Sequence, residues 1–176
     1  MPRYVALLRG VSPMNLSMPD LKKALESAGF TNVKTLLSSG NVAFDSPKPT
    51  GRAPEVGLQK KVEEALTKTL GKSFMTFVRS QDALKALLEA DPCAKFKLPK
   101  DAKKVVTFLH APHTSKLKLP IALENASILA TDGHEVFSMY VPDPKKGPVF
   151  MALLEKTFGK NVTTRTWDTV RKCAAA

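Results

Sequence analysis

The chain predicts an α+β fold built twice over, and three observations carry that expectation. Strand-like and helix-like hydrophobic periods follow one order along residues 1–92 and return in the same order along 104–176. The string L-x-K-T-[LF]-G-K occurs at 66–72 and again at 154–160. Each copy precedes a short strand-like run and then R-[ST]-x-D, at 79–82 and at 165–168. Matched strings at matched places in a repeated order argue for internal duplication.

The first half opens on a short apolar run, Tyr4–Leu8. Ser17 and Asp20 then form an S-x-x-D capping pair, whose side chains suit the unpaired N–H groups of a helix start. Leu21, Ala24, Leu25 and Ala28 give the i, i+3, i+4, i+7 stripe, and Gly29 supplies a left-handed residue after it. VKTLLSSGNVAFD (33–45) reads as two strands about Ser39-Gly40, the glycine giving a tight hairpin its positive φ. Pro47 and Pro49 mark a loop. A second helix runs from about Pro54 to Leu70, with Leu58, Val62, Leu66 and Leu70 in phase. Phe74–Arg79 is strand-like, and Ser80 opens a helix carrying Leu84, Leu87 and Leu88.

Residues 93–103 form a basic linker, and beyond it the order recurs. Val105–Leu109 is a strand, and 115–124 reads as a weak helix compromised by Pro120. Ser127–Thr131 and Glu135–Val141 flank Asp132-Gly133, a favoured two-residue turn. Residues 148–158 form a helix with Phe150, Leu154 and Phe158 in phase; Val162–Thr164 is a strand, and a last helix runs from Trp167. The expected architecture is two tandem ferredoxin-like βαββαβ halves, 1–92 and 104–176, each with an extra helix, on antiparallel or mixed sheets.

The composition excludes several classes. Gly71-Lys72-Ser73 looks like the end of a phosphate-binding P-loop, but Leu66 stands where its first glycine belongs and the preceding segment is helical. A P-loop NTPase is excluded. Cys93 and Cys173 are too few for a disulfide framework, and His110-x-x-His113 lacks the partners of a metal site. No paired carboxylates or nucleophile motif stand out, so the sequence identifies no catalytic residue, and no metal or cofactor is expected. The Tyr4–Leu8 run is too short for a signal-peptide core or a membrane span, which places the protein in the cytoplasm with no membrane partner. The net charge is +11: residues 1–92 carry 13 basic and 9 acidic side chains, and 93–176 carry 14 and 7. The densest basic run, Lys95 to Lys104, reads either as a solvated linker or as a nucleic-acid contact.

LLRG (7–10), the helix opening at Met18, TLLSSGNVAFDS (35–46) and TTRTWDTVRK (163–172) together resemble the bacterial domain-of-unknown-function 1697 family, from Tyr4 to Lys172. The resemblance implies an α+β fold of two related halves and no established activity. One loop departs from the family pattern. Where members commonly carry roughly N-V-G-G-K-N, this chain has the shorter Val11–Ser17 without the glycine pair, which undercuts an anion-cradling role for that loop.

The candidate ligand-binding residues fall in three groups. Arg165 and Thr166 precede a helix, where N–H groups and a guanidinium suit phosphate or carboxylate; the competing reading is a helix cap with Arg165 paired to an acid. Trp167 is the only tryptophan, placed to stack a ring or to pack on the sheet. Ser38, Ser39 and Asn41 surround the hairpin glycine, while Arg9, Gly10 and Asn15 lie where the first strand ends. Two functions follow: a binding module for a phosphate-bearing or nucleic-acid ligand, or a small enzyme holding an anionic substrate with Arg9, Asn41 and Arg165. The expected partner is thus an anionic small molecule or nucleic acid.

Overall fold

From Tyr4 onward every residue of β1 (Arg3–Leu8) is buried, as an apolar run with no polar alternation requires of a central strand. The computed structural model describes residues 1–48, 51–113, 116–145 and 149–176. β1 leads to α1 (Met18–Ser27), where the Ser17 Oγ accepts from the Asp20 N–H at 3.2 Å and caps the first turn. β2 (Thr31–Leu36), β3 (Asn41–Asp45), α2 (Arg52–Leu70), β4 (Thr76–Ser80) and α3 (Gln81–Ala90) follow. These strands form one antiparallel sheet in the order β2-β3-β1-β4. Tyr4, Ala6, Leu8, Val42, Phe44 and Val78 meet α1 and α2 in one core through Leu21, Leu25, Leu58, Val62 and Leu66.

α2 also carries polar residues inward. The Oε1 atoms of Glu55, Gln59 and Glu63 accept from the N–H groups of Ser80, Val78 and Thr76 at 2.9, 3.0 and 2.9 Å. β4 is an edge strand, and these three side chains satisfy donors that an edge leaves open.

The second sheet contains β5 (Lys103–Leu109), β6 (Ile121–Leu123), β7 (Ala126–Thr131), β8 (Glu135–Tyr140) and β9 (Val162–Thr166), antiparallel in the order β6-β7-β8-β5-β9. α4 (Val149–Phe158) precedes β9, and α5 (Trp167–Ala174) follows it. Leu109, Ile128, Val136, Leu153, Leu154 and Val162 make its core, with Leu119, Ile121, Phe150 and Phe158 against it. The architecture is therefore α+β, with four- and five-stranded antiparallel sheets and five helices among the described residues. None of those helices is long and apolar enough to cross a membrane.

Two sequence expectations are corrected here. No helix forms over 116–124, and 115 lies outside the described residues. Leu117, Leu119, Ile121 and Leu123 alternate with period two, and Pro120 has no N–H for a helix, so Ile121–Leu123 pairs with β7. The β7–β8 turn closes through the Asp132 N–H to the Glu135 carbonyl at 3.2 Å. Its central residues are therefore Gly133 and His134, one residue later than expected, and the Asp132 Oδ1 accepts from the N–H groups of His134 and Glu135.

The repeated strings have the same local role. Gly71 and Gly159 adopt φ of 71° and 87°, and donate to the carbonyls of Thr67 and Glu155, four residues back, at 2.9 and 2.8 Å. The Ser80 and Thr166 hydroxyls accept from the N–H groups of Ala83 and Thr169 at the starts of α3 and α5. Contacts divide the chain into two compact units, residues 1–88 with 171–176 and residues 89–170. The C-terminal residues thus join the first unit, where Arg3 and Gln81 both donate to the Ala176 carbonyl at 2.8 Å.

Candidate functional site

Three loops meet where β1 ends. The Leu8 N–H donates to the Gly40 carbonyl in the β2–β3 turn, and the Arg9 N–H donates to the Met75 carbonyl before β4, both at 2.8 Å. Gly40 has φ +85°, and a Cβ added there would lie 2.9 Å from the Cβ of Val11 and 3.1 Å from that of Leu8. Only glycine lets the turn close on the β1–α1 loop this tightly.

Asn15 organises that loop from within. Its Oδ1 accepts from the Ser12 N–H at 2.8 Å, and its Nδ2 donates to the Gly10 carbonyl at 2.7 Å. The Asn15 carbonyl accepts from the Lys72 Nζ, which reaches across from just beyond the α2 cap. Asn41 is fully buried; its Nδ2 donates to the Leu36 carbonyl at 3.1 Å and to the Ser39 Oγ at 3.0 Å. Ser38 and Ser39 are exposed, and Arg9 is half-buried. Met14 and Leu37 are also exposed, at 97% and 50%.

Four of the residues that the sequence singled out, Arg9, Asn15, Ser39 and Asn41, therefore gather at one end of the first sheet. Their roles divide. The amides of Asn15 and Asn41 hold the loops, while Arg9, Ser39 and Lys72 present charge and a hydroxyl. The start of α1 adds little to anion affinity, because Ser17 caps it and Asp20 stands in its first turn. Lys72 was missed in the sequence, where it was read only as part of a helix-end string. The available signal was its place two residues past Leu70, at the sheet end where Arg9 stands.

Arg165 and Trp167 lie in the second unit. The Arg165 Nη1 donates to the Thr163 Oγ1 at 2.7 Å and to the Thr164 carbonyl at 3.0 Å. Arg79, at the matched place in the first half, is 2% exposed and its Nη1 likewise donates to the Val78 carbonyl, at 2.9 Å. Both arginines thus bond back to their own strands while the next residue caps a helix. Trp167 is 7% exposed, and the Lys104 Nζ sits 4.2 Å from its ring centroid. Lys104 also pairs with Asp91 at 3.2 Å. The ring is largely spent on packing and on this cation.

Other reactive groups are subdued. Cys93 and Cys173 are buried thiols, neither of them in a disulfide. Burial pushes the Cys93 thiol up; Lys104 lowers it, Asp91 raises it, and the net direction is upward, away from the reactive thiolate. His113 sets its ring edge-on to Phe158 at 4.8 Å. Among the described residues no group of three His, Cys, Asp or Glu could hold a metal.

Over residues 1–137 the sequence matches the family described as Protein of unknown function (DUF1697). The chain belongs to this family. The match ends before TTRTWDTVRK (163–172), so that string stands outside it, whereas Arg9, Asn15, Ser39, Asn41 and Lys72 stand within it. The fold is similar to that of the conserved bacterial protein SP0830 from Streptococcus pneumoniae. The TM-score is 0.65 at 20% identity, covering 99% of this chain and 97% of that one. At that identity the likeness concerns the fold alone. No curated protein matches the sequence significantly.

Proposed function

We propose that the protein is a binding module for a phosphate-bearing ligand, held at the end of the first sheet by Arg9, Lys72 and the Ser38-Ser39 hydroxyls. The observation that carries this reading is the gathering of two cations from different loops at one sheet end, over a loop clipped by Asn15. Arg9 offers a planar fork and Lys72 a compact point charge, a combination suited to an anion with several oxygens. In this reading both halves are ferredoxin-like units that arose by duplication. The shared strand order, once β6 is set aside, and the matched caps at Gly71 and Gly159 support that descent.

Amide chemical shifts followed during titration with inorganic phosphate and pyrophosphate test the proposal. The amides of residues 10–16, 38–41 and 71–73 should shift together, with pyrophosphate binding more tightly. Arg9→Ala and Lys72→Ala should each abolish the shifts, with the amide spectrum elsewhere keeping the dispersion of the folded chain. Shifts confined to other segments, or none at millimolar pyrophosphate, would overturn the reading.

A further inference from the structure

A second basic feature lies on the helical side of the first unit. One groove of about 800 Å³ runs beside α2 between Lys48, Pro54, Gly57 and Lys60. A neighbouring groove of about 400 Å³ lies between α1 and α2, bordered by Ala24, Ala28, Lys68 and Thr69. Lys61 and Glu64 line both, so the two grooves lie side by side along α2. Four lysines and one glutamate therefore line this pair of grooves, a basic trough along α2. Lys60, Lys61 and Lys68 are exposed, and Lys61 stands over the buried Phe30 ring at 4.8 Å.

The spacing of these cations selects the ligand class. Lys61 and Lys68 are seven residues apart on α2, which puts them on one face and about 10 Å apart along the axis. One phosphate cannot span that distance, but a backbone that repeats its charge every few ångströms can. The floor is made of small residues, Ala24, Ala28, Gly57 and Ala65, which allow close approach. No exposed aromatic ring lines the trough among the described residues, so it offers nothing for unpaired bases to stack on.

We infer that this trough holds the sugar–phosphate backbone of a nucleic-acid duplex, without reading its sequence. The inference is independent of the phosphate site at the sheet end. Lysines act here as point charges on phosphates, and Glu64 in their midst limits affinity. Neutralising about four phosphates gives a logarithmic salt dependence with slope of roughly −3 to −4.

The test is fluorescence anisotropy with a labelled 20-base-pair DNA duplex of mixed sequence and the matching RNA duplex, over a salt series. The triple variant Lys60→Glu, Lys61→Glu, Lys68→Glu should weaken binding at least tenfold and flatten the salt slope. A second triple, with alanine at the same positions, checks that the loss does not come from a disturbed helix. The charge-matched comparison is Lys95→Glu, Lys97→Glu, Lys100→Glu in the other basic segment, expected to change affinity less than threefold. Lys72→Ala should leave duplex binding intact, which separates this site from the sheet end. Three outcomes would each overturn the inference: no binding at low salt, equal losses in the two glutamate triples, or equally tight trough-dependent binding of polyglutamate.

Discussion

Replacing Gln59 by Leu tests how the edge of the first sheet is closed. The Gln59 Oε1 accepts from the Val78 N–H at 3.0 Å; Val78 is fully buried and Gln59 is 7% exposed. Removing the acceptor strands a buried donor, at a cost of about 1–3 kcal/mol. The added apolar burial returns on the order of 1 kcal/mol. The net loss should be on the order of 1 kcal/mol, within a range of about 0–2, which lowers Tm by up to roughly 8 °C in a chain of this size. Thr69→Ala, an exposed change on the same helix, should stay within about 0.5 kcal/mol.

The geometry explains why three rungs are possible. A helix advances about 6 Å over four residues, and a strand about 6.7 Å over two. Glu55, Gln59 and Glu63 therefore keep pace with Ser80, Val78 and Thr76, drifting only about 1.5 Å over the ladder. Denaturant unfolding gives the stability, and amide exchange reads the rung itself. Val78 should lose protection beyond the global change, by roughly tenfold for each 1.4 kcal/mol of local cost. Unchanged Val78 protection, together with a stability equal to that of Thr69→Ala, would refute the reasoning.

Gly40→Ala should cost more than about 2 kcal/mol, because its φ of +85° is unfavourable for alanine and the new Cβ would crowd Val11. Gly71→Ala has the same kind of φ with nothing within 4 Å, so the difference in their denaturant midpoints isolates the crowding, and equal losses would rule it out. Burial alone would raise the Asp45 pKa, but hydrogen bonds from Asn32 and Arg3, and the Arg3 charge, bring it below its ordinary value. A depressed carboxylate stabilises the fold fully above its unfolded pKa of about 3.9 and loses that contribution as pH falls through the folded value. Asp45→Asn should therefore be less stable at neutral pH and show a shallower acid limb below about pH 4; an unchanged acid limb would contradict the pairing.

Much of the fold was legible because burial imposes a period, and the failures share a cause. Leu117, Leu119, Ile121 and Leu123 have strand spacing, yet the expectation of a repeated helix outweighed it. The Glu55–Gln59–Glu63 row resembles a solvated helix face, since polar residues every fourth position look the same whether they meet water or a strand edge. Nothing local assigns 171–176 to the first unit, because that depends on Arg3 and Gln81, which are far away in sequence. Counted back from the closing glycine, Met151 stands where Glu63 does, and α4 packs on β6 and β7. The Glu55–Gln59–Glu63 ladder is thus a feature of the first half that the repeated strings could not announce.

The candidate site was legible in a different way. Glycine with positive φ, hydroxyls beside free N–H groups, and basic residues near a helix terminus serve phosphate binding and helix capping alike. Gly71-Lys72-Ser73 and the two R-[ST]-x-D strings share this ambiguity, and hydrogen bonds resolve it. The Gly71 N–H is spent on the Thr67 carbonyl, and the Ser80 and Thr166 hydroxyls are spent on the first turns of α3 and α5. The repeated motifs thus cap helices, at their ends in one string and at their starts in the other. Lys72 differs because its backbone follows a cap while its side chain reaches the Asn15 carbonyl. That reach joins two loops 57 residues apart, which no local pattern encodes, and it brings a second cation to the sheet end where Arg9 stands.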